Sequence, residues 1–166
     1  ACAAQKPLSL APAPALPPEQ TPRIITGKEP HEDLKLAVDA YLAGNAEAAL
    51  ALSRQVLEQY PDTPWYKRSL LLSERALIQL DRASEADAAM LRVQAEYPEM
   101  ADYAVSLLAD YHYSKERYPQ AAALYEHLSA RYPKSLLTAR SRFRTGQSLL
   151  ASYAYGRAAD AFERFL

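Results

Sequence analysis

A small residue recurs at Ala49, Ala86, Ala121 and Ala158, and each one opens the same pattern. An apolar residue follows at +3 and mostly larger apolar residues at +4 and +7. The first three copies then close with Tyr-Pro at +11 and +12. The sets are Ala49/Leu52/Ser53/Val56, Ala86/Ala89/Met90/Val93, Ala121/Leu124/Tyr125/Leu128 and Ala158/Ala161/Phe162/Phe165, with Ser53 the one polar departure. Offsets of 3, 4 and 7 place these side chains on one helical face. Tyr60-Pro61, Tyr97-Pro98 and Tyr132-Pro133 end that helix, because proline cannot continue the hydrogen-bond ladder. The copies lie 37, 35 and 37 residues apart. A period of that size predicts a stacked helical array, and arrays usually bind rather than catalyse.

A chain of 166 residues is long enough for one continuous core, and its 49% hydrophobic content is rich in the alanine that close helix packing needs. The net charge of -1 argues against an electrostatic nucleic-acid surface, which normally needs a clear basic excess. The charge is uneven. Residues 31–64 carry Lys35 and Arg54 against six acids, net -4, whereas residues 136–166 carry five arginines against Asp160 and Glu163, net +3. Solvated helix faces drift this far by chance, and a binding gradient would read the same way.

Residues 1–30 hold seven of the twelve prolines, which predicts a disordered, extended tether with no helix ladder. The chain starts at Ala1 without methionine and stops at Leu166 inside what the pattern makes a helix, so a fragment of something longer is expected. Cys2 is the only cysteine, and it has no partner for a disulfide. With Ala1, Ala3 and Ala4 around it and a Pro-rich linker after it, Cys2 resembles the processing site of a bacterial lipoprotein. That resemblance implies lipidation at Cys2. Because Ala3 is not aspartate, it further implies sorting to the outer membrane. An inert tail cysteine and a redox thiol are the competing readings. No transmembrane helix is legible anywhere.

From residue 31 onward each unit splits into two helices. Units of about 31–62, 65–98, 101–133 and 136–166 are expected, the last truncated. In the third, Ala101–Ser114 precedes Tyr118–Tyr132, with Pro119 in the first turn where its missing N–H costs nothing. In the first unit the break is Gly44-Asn45, both suited to a left-handed helix end. In the second it falls near Leu80-Asp81-Arg82, with Ser84 and Asp87 spaced as a capping pair.

This organisation resembles the tetratricopeptide repeat, a helix–turn–helix unit of about 34 residues. Its small-residue positions match Ala37, Ala109 and Gly146, its alanine position the four recurring alanines, and its aromatic position Tyr125 and Phe162. The second copy departs most, with Glu74 where a small residue belongs and an extra stretch at Pro64-Trp65. The resemblance implies an all-α, tetratricopeptide-like solenoid of about four antiparallel helix pairs whose first helices line a concave groove. The family's groove positions fall on His31, Leu34, Val38, Tyr41 and Leu42 in the first unit, and on Arg68, Leu71, Arg75, Ile78 and Gln79 in the second. They continue on Tyr103, Ser106, Asp110, Tyr113 and Ser114, then on Arg140, Phe143, Gln147, Leu150 and Ala151. Of these, Tyr41, Arg68, Arg75, Tyr103, Asp110, Tyr113, Arg140, Phe143 and Gln147 are the expected partner-binding residues, since tyrosine and arginine carry binding hot spots. Tyr111 lies on the same first helix. An alternative is that the groove covers a neighbouring domain. Tyr60, Tyr97 and Tyr132 are expected to cover the next unit with their rings while their hydroxyls stay wet.

No catalytic motif emerges. His31, His112 and His127 lack zinc-ligand spacing, and neither a Walker loop, a Gly-x-Ser-x-Gly elbow nor a dinucleotide fingerprint is present. His112 is expected to be a packed histidine. No metal or cofactor is expected, and the reading is a non-catalytic protein–protein interaction scaffold of the bacterial cell envelope, in the periplasm and anchored to the outer membrane. Two alternatives remain. One is the superhelical domain of a soluble lytic murein transglycosylase-like enzyme, its catalytic domain beyond residue 166. The other is a cytoplasmic scaffold in which Cys2 is incidental.

Overall fold

A computed structural model describes residues 29–165. Among them eight α-helices follow one another: α1 (Pro30–Leu42), α2 (Ala46–Gln59), α3 (Pro64–Gln79), α4 (Ala83–Glu96), α5 (Ala101–Ser114), α6 (Tyr118–Arg131), α7 (Thr138–Ala151) and α8 (Tyr155–Glu163). One 3₁₀ turn, Pro98–Met100, precedes α5. Each helix packs on the next, and α1 also touches α3 and α3 touches α5. This is the tetratricopeptide-like solenoid of antiparallel pairs. Cys2 and the Pro-rich run lie outside the described residues. Pro30, expected to close the tether, is instead the first residue of α1, where proline's fixed φ suits the helix start.

The recurring alanines sit where the pairs close. Ala49, Ala86 and Ala121 have no exposed surface, and Ala158 has 2%. Beside them, in the third and fourth repeats, the small residue of the first helix faces the +4 residue of the second. Ala109 packs with Ala121 and Tyr125, and a Cβ on Gly146 would come within 2.5 Å of the Phe162 ring. A large ring on one helix therefore requires a small residue on the other. Glu74 breaks this rule in the second repeat yet is fully buried.

All four turns within the repeats use one geometry. Gly44, Asp81, Glu116 and Tyr153 adopt left-handed φ values of 80°, 59°, 58° and 61°. The amides of Asn45, Arg82, Arg117 and Ala154 then donate five residues back, to Ala40, Leu77, His112 and Leu149, which satisfies carbonyls left over at each helix end. Two expectations are corrected here. Asn45 is not left-handed: it caps α2, its side chain accepting from the Ala48 amide at 3.1 Å. Ser84 caps nothing, because α4 begins at Ala83 after Arg82, whose guanidinium instead clasps Glu85. The extra stretch before the second unit lengthens α3 at its start, where the Thr63 hydroxyl accepts from the Tyr66 amide at 3.2 Å.

Of the three tyrosines before proline, Tyr60 and Tyr132 differ from expectation. Tyr60 donates its hydroxyl to Asp33, a carboxylate 1% exposed, and Tyr132 accepts from Gln94 at 3.0 Å. Their hydroxyls are engaged rather than wet, and they reach back to earlier helices. A half-buried phenol beside a desolvated carboxylate or amide satisfies both groups by bonding. On the outside, Arg54 meets Glu85 at 3.3 Å and Glu126 meets Arg157 at 3.0 Å, linking α2 to α4 and α6 to α8 with reversed polarity.

Candidate functional site

The odd-numbered helices share one face of the array, and arginines bridge them. Between α1 and α3, the Arg75 guanidinium lies 5.0 Å over the Tyr41 ring. Arg68 lies 5.2 Å over Trp65, whose ring is tilted 6.1 Å from His31. Between α5 and α7, Arg144 lies 4.9 Å over Tyr113. Its Nη1 donates to Gln147 Oε1 at 3.2 Å, and Tyr113 meets Tyr118 edge-on at 5.4 Å. One Arg140 nitrogen reaches both Asp110 carboxylate oxygens, at 2.8 and 3.0 Å. The Tyr125 hydroxyl, rising between the helices, donates to the same carboxylate. Burial, and then this bond, push the Tyr125 phenol well above the usual tyrosine range.

Each ring–guanidinium pair contributes about 0.5–1 kcal/mol at this exposure, which is enough to order the arginine before anything binds. Of the nine expected partner-binding residues, the structure joins Tyr41 to Arg75, Asp110 to Arg140, and Tyr113 to Gln147 through Arg144. Arg68 pairs with Trp65 instead of another expected residue. Phe143 packs on Phe162 and Phe165, at 5.8 and 5.6 Å, so its ring joins the α7–α8 packing. Tyr103 is half-buried on α5. Elsewhere on the expected groove, Leu34 and Ser106 are buried at 7% and 4% and present no surface. Tyr111 is likewise buried, its hydroxyl donating to Asp81 at 2.6 Å across to the α3–α4 turn.

Two contributors, Arg144 and Trp65, were absent from the expected set. Arg144 was legible by helical spacing alone, four residues after Arg140 on the same stripe. Trp65 lies in the stretch that has no counterpart in the other units, so no register pointed to it.

Among the described residues no group of His, Cys, Asp and Glu is arranged to hold a metal, and no helix is long and apolar enough to cross a membrane. His112 is buried, its Nε2 3.4 Å from Asp87, as a packed histidine should be. No curated protein matches the chain. The tetratricopeptide repeat family matches residues 33–63, which span most of α1 and all of α2, so the first helix pair of this solenoid is a tetratricopeptide repeat.

Proposed function

We propose that this chain is a non-catalytic interaction module that holds an extended, acidic segment of a partner protein across α1, α3, α5 and α7. One observation carries the reading: Arg68, Arg75, Arg140 and Arg144 stand on that face, three of them laid on aromatic rings. The one carboxylate among the expected residues, Asp110, is already taken by Arg140 and Tyr125. The balance favours anionic side chains, and stacked guanidiniums lose little freedom when they grip a carboxylate. Val38, Leu42 and Leu150, exposed on the same helices, offer apolar contact between the charges. We place the module at a bacterial cell envelope, tethered to the outer membrane through a lipid on Cys2. The small residues around Cys2 and the Pro-rich spacer support that placement.

Selection of displayed random peptides against the purified chain tests the groove. Acidic sequences should dominate, and Arg75→Glu with Arg144→Glu should abolish their capture. A selection without acidic bias, or capture unaffected by both reversals, refutes it. Palmitate labelling of the full-length protein in a bacterial host tests the tether: label should enter the native protein and be lost in Cys2→Ser.

A further inference from the structure

The outer side of the fourth repeat is built differently from the third. On α5, Val105 and Leu108 turn away from the arginine face and are fully buried. The matching positions of α7, 37 residues on, are Arg142 and Thr145. A charge and a hydroxyl thus stand where the third repeat places aliphatic packing. Arg142 is exposed, and Thr145 is buried with its hydroxyl donating to the Ser141 carbonyl at 3.0 Å.

Around these two residues α6 and α8 frame a cleft of about 660 Å³, lined among others by Glu126, Ser129, Arg142, Thr145, Arg157 and Arg164. That volume is in the range of small-molecule sites. Three guanidiniums face one carboxylate. Glu126 is committed to Arg157 at 3.0 Å, and among the described residues Arg164 bonds only the Asp160 carbonyl, through Nε at 3.1 Å. Arg142 has no hydrogen bond or ion pair among the described residues. The cleft therefore holds two uncompensated cations. The other outer junctions are bridged by side chains: Arg54 and Glu85 pair in the first, and Gln94 joins His127 and Tyr132 in the second.

We propose that this cleft is a binding site for a phosphate-bearing anion, gripped by Arg142 and Arg164 with Arg157 at its edge. A guanidinium presents a planar fork of N–H donors that matches phosphate oxygens, and two such forks suit a group with more than one charge. The phosphate is carried by a soluble ester or pyrophosphate, or by a lipid headgroup; the chemistry is shared. The site is independent of the proposed groove. Arg140 and Arg142 lie two residues apart, about 200° around α7, so they serve opposite sides of that helix.

Titration calorimetry of the whole chain with inorganic pyrophosphate, beside co-sedimentation with phosphatidylglycerol and phosphatidylcholine vesicles, tests the proposal and its source. Pyrophosphate should bind at one site, and its affinity should fall several-fold between about 50 and about 300 mM salt, as screening requires. Arg142→Glu with Arg164→Glu should weaken binding by on the order of tenfold or more. Arg142→Gln with Arg164→Gln should do so less strongly, and Lys35→Gln should bind like the native chain. Both arginines are exposed, and a circular-dichroism melt confirms that each variant is folded. Pyrophosphate binding without vesicle binding assigns a soluble ligand. Sedimentation with phosphatidylglycerol alone, lost in the double variants, assigns a headgroup. If neither probe binds, or if folded double variants bind like the native chain, the proposal is overturned.

Discussion

The second and third repeats share a backbone geometry and fill it with opposite chemistry. In the third, Leu108, Ala109 and Tyr125 are all fully buried, and the one polar atom among them, the Tyr125 hydroxyl, reaches Asp110. In the second, the corresponding first helix carries Ser69, Ser73 and Glu74 into the interior, and none of their buried oxygens has a hydrogen bond among the described residues. Burial alone raises the Glu74 carboxyl from 4.5 to about 8. The solenoid thus tolerates a polar layer where helix contacts on both sides hold the shape, at the cost of making that layer sensitive to proton concentration. The third repeat contributes packing; the second contributes less stability and a titrating group.

The contrast is best attacked at Glu74. Its folded pKa lies above its unfolded one, so its contribution to stability is complete below pH about 4.5 and is lost as the pH rises through about 8. The loss amounts to on the order of 4 kcal/mol. Glu74→Met should flatten the fall in urea-unfolding free energy between pH 5 and 8 and raise it at pH 8 by a comparable amount. An unchanged slope in the variant would falsify the assignment. Next in size, Ala109→Leu should destabilise by about 1–3 kcal/mol, because Tyr125 already occupies the space facing it. If it proves neutral, the third repeat is looser than its burial indicates. Tyr125→Phe should cost about 1 kcal/mol in a thermal or urea melt, since Asp110 keeps its Arg140 contact. The smallest effect is expected at a feature all the repeats share. Tyr153 is exposed in a left-handed turn, so Tyr153→Gly should stabilise by about 0.5–1 kcal/mol. A loss there would mean that the side chain makes a contact outweighing its backbone strain.

The fold was legible because its evidence was distributed. The alanines at 49, 86, 121 and 158 and the Tyr-Pro pairs fix both helices and period, and no single substitution erases such a pattern. Side-chain chemistry was less legible where it depended on what a neighbouring helix places opposite. The small position taught nothing about Glu74 until its burial was known. The tyrosines before proline were placed correctly at helix ends, but Asp33, which accepts from Tyr60, and Gln94, which donates to Tyr132, lie 27 and 38 residues earlier, beyond any local spacing rule. At the candidate site, family positions named both Arg75 and Tyr41, which the structure stacks, but overlooked Arg144, and they counted Leu34 and Ser106 as surface when neighbouring packing buries both. Ser84 misled because Asp or Glu three residues on is a common surface arrangement as well as a cap.

Asp81 is strained by its turn, yet its carboxylate ties that turn to α5, accepting from the Tyr111 hydroxyl and lying 3.1 Å from the Lys115 ammonium. These contacts hold its carboxyl below the usual aspartate range. A twist or stretch of the superhelix at this joint must load the tie. The elasticity of the array there is therefore partly ionic: acid and concentrated salt should soften it while the apolar seams on either side stay intact.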